Sequence, residues 1–135
     1  MVKILVGVDV QPIDEVEASI TQFGARYTKR LFTEHELESC GGNFHSAASG
    51  LAARFAAKEA VLKILDSRGT YPSWKEIEVR RGEGGRPHIV LWGHAKQIAR
   101  RQRIKQISLS LSHGGGIATA AVVAHAARRR PRTLQ

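Results

Sequence analysis

Apolar and polar positions alternate at the start of the chain. Ile4, Val6, Val8 and Val10 fall on one face of an extended segment and Leu5, Gly7 and Asp9 on the other, which predicts a strand over Val2 to Val10. Pro12 suits the first turn of a helix running to about Phe23, where Gly24 interrupts it. Arg26 to Leu31 is a basic stretch, and Thr33 followed by Glu36 has capping-box spacing for a short helix. Gly41-Gly42-Asn43 reads as a turn. Ser46 then opens the longest helix, which ends near Leu65 with Gly69 and Pro72 beyond it.

Past that point the period shortens. Ile77 to Arg80 reads as a strand, Gly82 to Pro87 as a glycine-rich hairpin loop, and His88 to Trp92 as the returning strand. Residues 94–101 suit a short helix. Ile107, Leu109 and Leu111 then alternate with Ser108, Ser110 and Ser112, and three glycines from Gly114 turn the chain into a last strand, Ile117 to Ala124. Residues from Ala126 read as a basic, disordered arm behind a domain of residues 1–125. The fold class is α+β: a small antiparallel sheet with one long helix.

A length of 135 residues suits one domain, and a domain this small gains from burying further surface in an oligomer. Cys40 is the only cysteine, so no intrachain disulfide forms, which fits a reducing compartment. The opening apolar run stops at Asp9, too early for a signal peptide or a membrane span, and the expected location is cytoplasmic. Net charge is +9, and removing Arg128, Arg129, Arg130 and Arg132 still leaves +5, so the body of the chain also favours anionic partners.

Several charged residues break the core pattern. Asp9 sits in an apolar strand, where a carboxylate needs a pairing cation, a metal, or a solvent-facing strand end. In the long helix, Leu51, Phe55, Leu62 and Leu65 form a stripe that takes in Lys58 and has Glu59 on its shoulder. Lys63 follows Glu59 at i+4, the spacing of an ordinary surface ion pair. His113 continues the parity of Ile107, Leu109 and Leu111, which puts it on the core side at a strand end, backed by glycines that leave room for a ligand. The loop from Arg80 to Pro87 mixes arginines with glycines, a combination able to hold phosphate, although its spacing is neither that of a P-loop nor of a dinucleotide fingerprint.

Three blocks in this order resemble the small holo-acyl-carrier-protein synthase type of 4′-phosphopantetheinyl transferase. They are Val6-Gly7-Val8-Asp9-Val10, Ala53-Arg54-Phe55-Ala56-Ala57-Lys58-Glu59-Ala60, and Ser108-Leu109-Ser110-Leu111-Ser112-His113. The second is the most specific, being similar to the family's W/F-A-x-K-E-A signature; Gly85-Arg86-Pro87 and Phe32-Thr33-x-x-Glu36 also match family segments. The resemblance implies Mg²⁺-dependent transfer of the phosphopantetheine arm of coenzyme A to a serine of an acyl carrier protein or carrier domain. It implies Asp9 and Glu59 as Mg²⁺ ligands, Glu59 and Lys63 as catalytic groups, and Arg54, Lys63, Gly85, Arg86, Pro87 and His113 as coenzyme A contacts. It also implies a homotrimer in which each site lies between neighbouring subunits.

The chain departs from the family pattern in three places. Gly114 stands where an acid usually follows the histidine. Ser46, Ser49 and Gly50 replace the usual basic residues for the 3′-phosphate of coenzyme A, which leaves Arg80, Arg81 or Arg86 to take that role. The first helix carries Asp14, Glu15 and Glu17 where basic residues usually grip the carrier, so either the partner is a less acidic carrier domain or it docks against the later basic residues Arg26, Lys29 and Arg30, the expected carrier contacts. Two other readings compete. A small basic nucleic-acid-binding protein fits the charge, but not the scarcity of aromatics or the acids in apolar contexts. A coenzyme A-binding module without catalysis fits Gly114.

Overall fold

The first strand, β1 (Val2–Pro12), turns its Leu5, Gly7, Asp9 and Gln11 side into the molecule, while Val2, Ile4, Val6, Val8 and Val10 face outward. The computed structural model describes residues 2–128. After β1 come four helices: α1 (Ile13–Phe23), α2 (Ala25–Leu31), α3 (Glu34–Ser39) and α4 (Phe44–Ile64). They are followed by β2 (Ile77–Arg81), β3 (Pro87–Leu91), α5 (Gly93–Arg101), β4 (Ile104–Gly114) and β5 (Ile117–Ala127). The strands form two antiparallel sheets, one in the order β1-β5-β4 and a separate β2-β3 hairpin. An α+β fold with one long helix is what the pattern predicts; the division into two sheets is not.

The long helix lies across the inner face of β1 and β5. It approaches closely because its buried side is built from small residues, Ala48, Ala52, Ala53, Ala56, Ala57 and Ala60, facing Ala118, Ala120 and Ala124 of β5. Gly7 takes this to its limit: a Cβ there would sit 2.2 Å from the carbonyl oxygen of Ala60. Two apolar clusters result. One joins α4, α5, β2 and β5 around Val61, Ile77, Ile98 and Val122; the other joins α1, α2 and the first half of α4 around Val16, Phe32 and Leu51.

Local signals account for most boundaries. Gly24 ends α1 at positive φ. Thr33 and Glu36 form the expected capping box of α3. The long helix starts at Phe44, two residues before Ser46, because the Asn43 side chain accepts a hydrogen bond from the Ser46 amide and caps the helix there. The basic stretch at 26–31 is itself helical, as α2. The last strand continues past the expected start of a loose arm at Ala126: Ala126 and Ala127 pair with Lys3 and Val2, and Ala126 is buried. Residues 129–135 of that arm lie outside the described residues. No described helix is long and apolar enough to cross a membrane.

Candidate active site

Gly7 draws β1 against α4, and two residues along the same inner face stands Asp9. On the helix, Glu59 and Lys63 are one turn apart and turned toward β1. The Lys63 ammonium does not pair with Glu59, as the i+4 spacing alone suggests; it donates to the Val8 carbonyl at 2.6 Å and to Asp9 Oδ1 at 3.1 Å. The Asp9 carboxyl lies beside that of Glu59, close enough to oppose its ionisation. Burial first, then the adjacent Asp9, push Glu59 up to about 7, against the pull of Lys63. Asp9, with a side chain only 13% exposed, keeps its Oδ2 buried with no partner. The two acids named from the strand and from the helix thus meet beside one cation.

This carboxylate pair suits a hard divalent ion. Among the described residues no group of three or more His, Cys, Asp or Glu gathers to enclose a metal, which excludes a closed structural site there. Mg²⁺ needs no such cage, since it is held by one or two carboxylates together with substrate phosphates and water. The unsatisfied Asp9 Oδ2 is an oxygen free for that purpose.

Arg54 lies five residues before Glu59, about 140° away around the helix, and opens onto a different space. A cleft of about 680 Å³ is lined by His45, Ser46, Gly50, Arg54, Arg81 and His113 among others, and is closed at one end by the three glycines from Gly114. Arg54 donates to the Gly50 carbonyl at 3.1 Å, while its Nε is buried with no partner. Asp9 Oδ2 and Arg54 Nε are the only unsatisfied buried side-chain atoms found among the described residues. His113 keeps the expected parity, opposite Ala118, but it is exposed rather than in the core, because at this end of the sheet the space between β4 and α4 is the cleft itself.

In the hairpin loop, Pro87 lines the cleft, whereas Gly85 and Arg86 stand exposed at the turn. Arg81 lines it instead, its guanidinium held by the Gly85 carbonyl at 2.9 Å. Arg80 is unavailable, bonded through Nε to Glu78 at 2.7 Å. On α2, Arg26 and Arg30 border a groove of about 380 Å³ with Phe23, Tyr27, Leu31 and Trp74; Lys29 is exposed beside it. In the acidic first helix, Glu17 is engaged by His45 at 2.6 Å.

One partnership escaped the sequence pattern. Lys58, fully buried, pairs with the equally buried Glu36 at 2.7 Å, donates to the Trp74 carbonyl at 3.0 Å and also bonds the Ile77 carbonyl. Glu36 in turn accepts from the amides of Thr33 and Val79, at 2.9 and 3.0 Å. The position of Lys58 inside an apolar stripe signals a buried cation, but nothing in the spacing identifies its partner, 22 positions earlier.

The chain is similar to known proteins over most of its length. A family model for the 4′-phosphopantetheinyl transferase superfamily matches residues 5–122. A holo-acyl-carrier-protein synthase of Moorella thermoacetica is 42% identical over 107 residues, covering 79% of this chain and 82% of its own. One of Dehalococcoides mccartyi is 42% identical over 118 residues, covering 87% and 95%. The crystal structure of the Helicobacter pylori holo-acyl-carrier-protein synthase in complex with coenzyme A superposes with a TM-score of 0.76 at 28% identity, covering 89% of this chain and 99% of that one.

Proposed function

The chain belongs to the 4′-phosphopantetheinyl transferase superfamily, as an enzyme of the holo-acyl-carrier-protein synthase type, and from that membership we propose a Mg²⁺-dependent reaction built on Asp9, Glu59 and Lys63. In it, the hydroxyl oxygen of a carrier-protein serine attacks the β-phosphorus of coenzyme A. A new phosphorus–oxygen bond forms, and the bond to the bridging oxygen breaks. Adenosine 3′,5′-bisphosphate departs with that oxygen and its electron pair.

The observation that carries this reading is the meeting of Asp9 and Glu59 beside Lys63, with one Asp9 oxygen left unsatisfied. Asp9 and Glu59 would hold Mg²⁺, whose contribution when bound is to neutralise charge on the pyrophosphate. Glu59, titrating near 7, is tuned to receive the serine proton at neutral pH. Lys63, anchored by the Val8 carbonyl, presents a positive charge to the phosphate under transfer. In the second space, the Arg54 guanidinium, Arg81 and His113 supply donors for the phosphates of the nucleotide. Arg81 takes the place of the basic residues missing before the signature helix.

In a single chain these two halves look in different directions. The outer face of β1 supports the reading that they complete each other across a homotrimer. Val2, Ile4, Val6, Val8 and Val10 are 49–63% exposed and form one apolar stripe, continued on β5 by Ile117. Such a continuous surface is rarely left in water. The carrier domain is expected on α2, its acidic side against Arg26, Lys29 and Arg30 and an apolar side chain in the groove formed by Phe23, Tyr27 and Trp74.

The test is transfer itself. Incubation with coenzyme A, Mg²⁺ and a panel of apo carrier proteins should give the phosphopantetheine mass gain on at least one carrier, and chelation should abolish it. Glu59→Gln should lose transfer by at least a hundredfold with the fold intact, and wild-type turnover in that variant would remove Glu59 from the chemistry. His113→Ala should raise KM for coenzyme A more than it lowers kcat.

A further inference from the structure

A second concave space lies at the other end of the three-stranded sheet. Its volume is about 650 Å³, and its charged lining is Lys3, Arg68, Arg101, Arg103 and Arg128 against the single carboxylate of Asp66. It opens where β1 begins, β4 begins and β5 ends, whereas His113 stands at the far end of β4. Ten residue steps of β-strand separate those ends, on the order of 30 Å.

Three features distinguish it from a chance gathering of surface charge. The first is backbone conformation. Among the described residues only two non-glycine residues adopt positive φ, Arg68 at 50° and Arg103 at 60°, and both line this cleft. An arginine in the left-handed region is strained, and such strain gathers where a site needs a particular side chain held in a particular direction. The second is a braced wall. Gln102 accepts from the Asp66 amide at 2.7 Å and donates to the Ile64 carbonyl at 3.0 Å, and Arg101 donates to the Asp66 carbonyl at 2.5 Å. The end of α5 is thereby fastened to the end of α4, while the Arg103 carbonyl accepts from the Ala127 amide at 3.0 Å. The third is unbalanced charge. The one ion pair there joins Arg68 and Asp66 at 3.6 Å with both side chains exposed; Lys3, Arg101 and Arg103 have no carboxylate partner among the described residues.

We infer that this basic cleft is a second anion-binding site, one that takes a small ligand carrying two or more linked phosphates. Four arginines and one lysine line a volume that suits a molecule of nucleotide size. Guanidinium forks match phosphate oxygens two at a time. Their place around one hollow, rather than along a face, favours a compact ligand over a nucleic-acid backbone. The lining contains no aromatic residue, so no base is stacked, and recognition rests on the phosphates.

Inorganic tripolyphosphate is the probe, titrated by calorimetry into the full-length protein at low salt, without and with saturating coenzyme A. One equivalent per chain should still bind when coenzyme A saturates the first site, and orthophosphate should bind at least tenfold more weakly. A Lys3→Glu/Arg128→Glu variant should lose at least tenfold in affinity. An Arg68→Gly/Arg103→Gly variant should lose affinity while its melting temperature holds or rises, because glycine relieves the left-handed strain. Loss of affinity there cannot be attributed to unfolding. The proposal fails if no tripolyphosphate binds once coenzyme A saturates the first site, if both variants bind as wild type, or if only an oligonucleotide binds. Transfer to the carrier protein is not part of the readout, so these outcomes stand whatever becomes of the proposed chemistry.

Discussion

Glu59 shows how much one residue's surroundings decide. Its carboxyl titrates near 7 in the folded chain because burial and the neighbouring Asp9 oppose ionisation. A raised carboxyl favours the protonated fold, so stability without a divalent ion is fullest below the ordinary carboxylate range. It declines as pH climbs from there through about 7. Melting curves between pH 4 and 8 in chelator should show that decline. Mg²⁺ should reverse it by stabilising the ionised pair, and Glu59→Gln should flatten it, since the amide has no proton to lose. A wild-type profile in the Gln variant would mean that another group governs the slope. Asp9 and Glu59 are legible in the sequence as acids in apolar contexts. Their meeting is not, because nothing local relates residues 50 positions apart.

At the scale of elements, the arrangement depends on how α4 is fastened. Lys58 joins it to α3 through Glu36, and to the turn before β2 and β2 itself through the Trp74 and Ile77 carbonyls. Burial lowers the Lys58 ammonium while Glu36 pulls the other way, so the cation depends on its partner. Removing one member strands the other: Lys58→Met should cost about 3–5 kcal/mol in denaturant unfolding. Adding Glu36→Gln, which removes the stranded charge and keeps one oxygen to accept from either Thr33 or Val79, should restore part of that loss. Equal losses in the single and double variants would show that the pair is not coupled. The other side of α4 rests on Gly7. Gly7→Ala would drive a Cβ onto the rigid Ala60 carbonyl, and the strand would have to move off the helix at a cost of about 1–3 kcal/mol. That shift also separates Asp9 from Glu59, so transfer should fall by more than the stability loss explains.

For the molecule as a whole, the sheet faces two environments. Its inner face is closed by α4, and its outer face presents valines on β1 and serines on β4. Val6, the most exposed valine of the stripe at 63%, is the position to test. Val6→Lys should give a folded monomer by light scattering and circular dichroism, and its transfer activity should collapse because each subunit would hold only half a site. A monomeric variant with full activity would contradict sites shared between subunits.

The capping box at Thr33, the glycine stop at Gly24, the two-residue alternation of β1 and β4 and the signature of α4 are decided by neighbours a few positions apart, and the chain spells them out by itself. The same holds for the residue types that carry the chemistry. What only the folded chain decides is long-range. The ion pair of Lys63 with Asp9 in place of Glu59, the partner of Lys58, Arg81 rather than Arg86 at the cleft, and the exposure of His113 all follow from how strands and helices pack. The outward turn of the valine stripe is of the same kind. Alternation marks the valine face as the more apolar one, yet it is the other face, bearing Leu5, Gly7 and Asp9, that α4 covers, because Gly7 and the alanines of β5 leave space for the helix there.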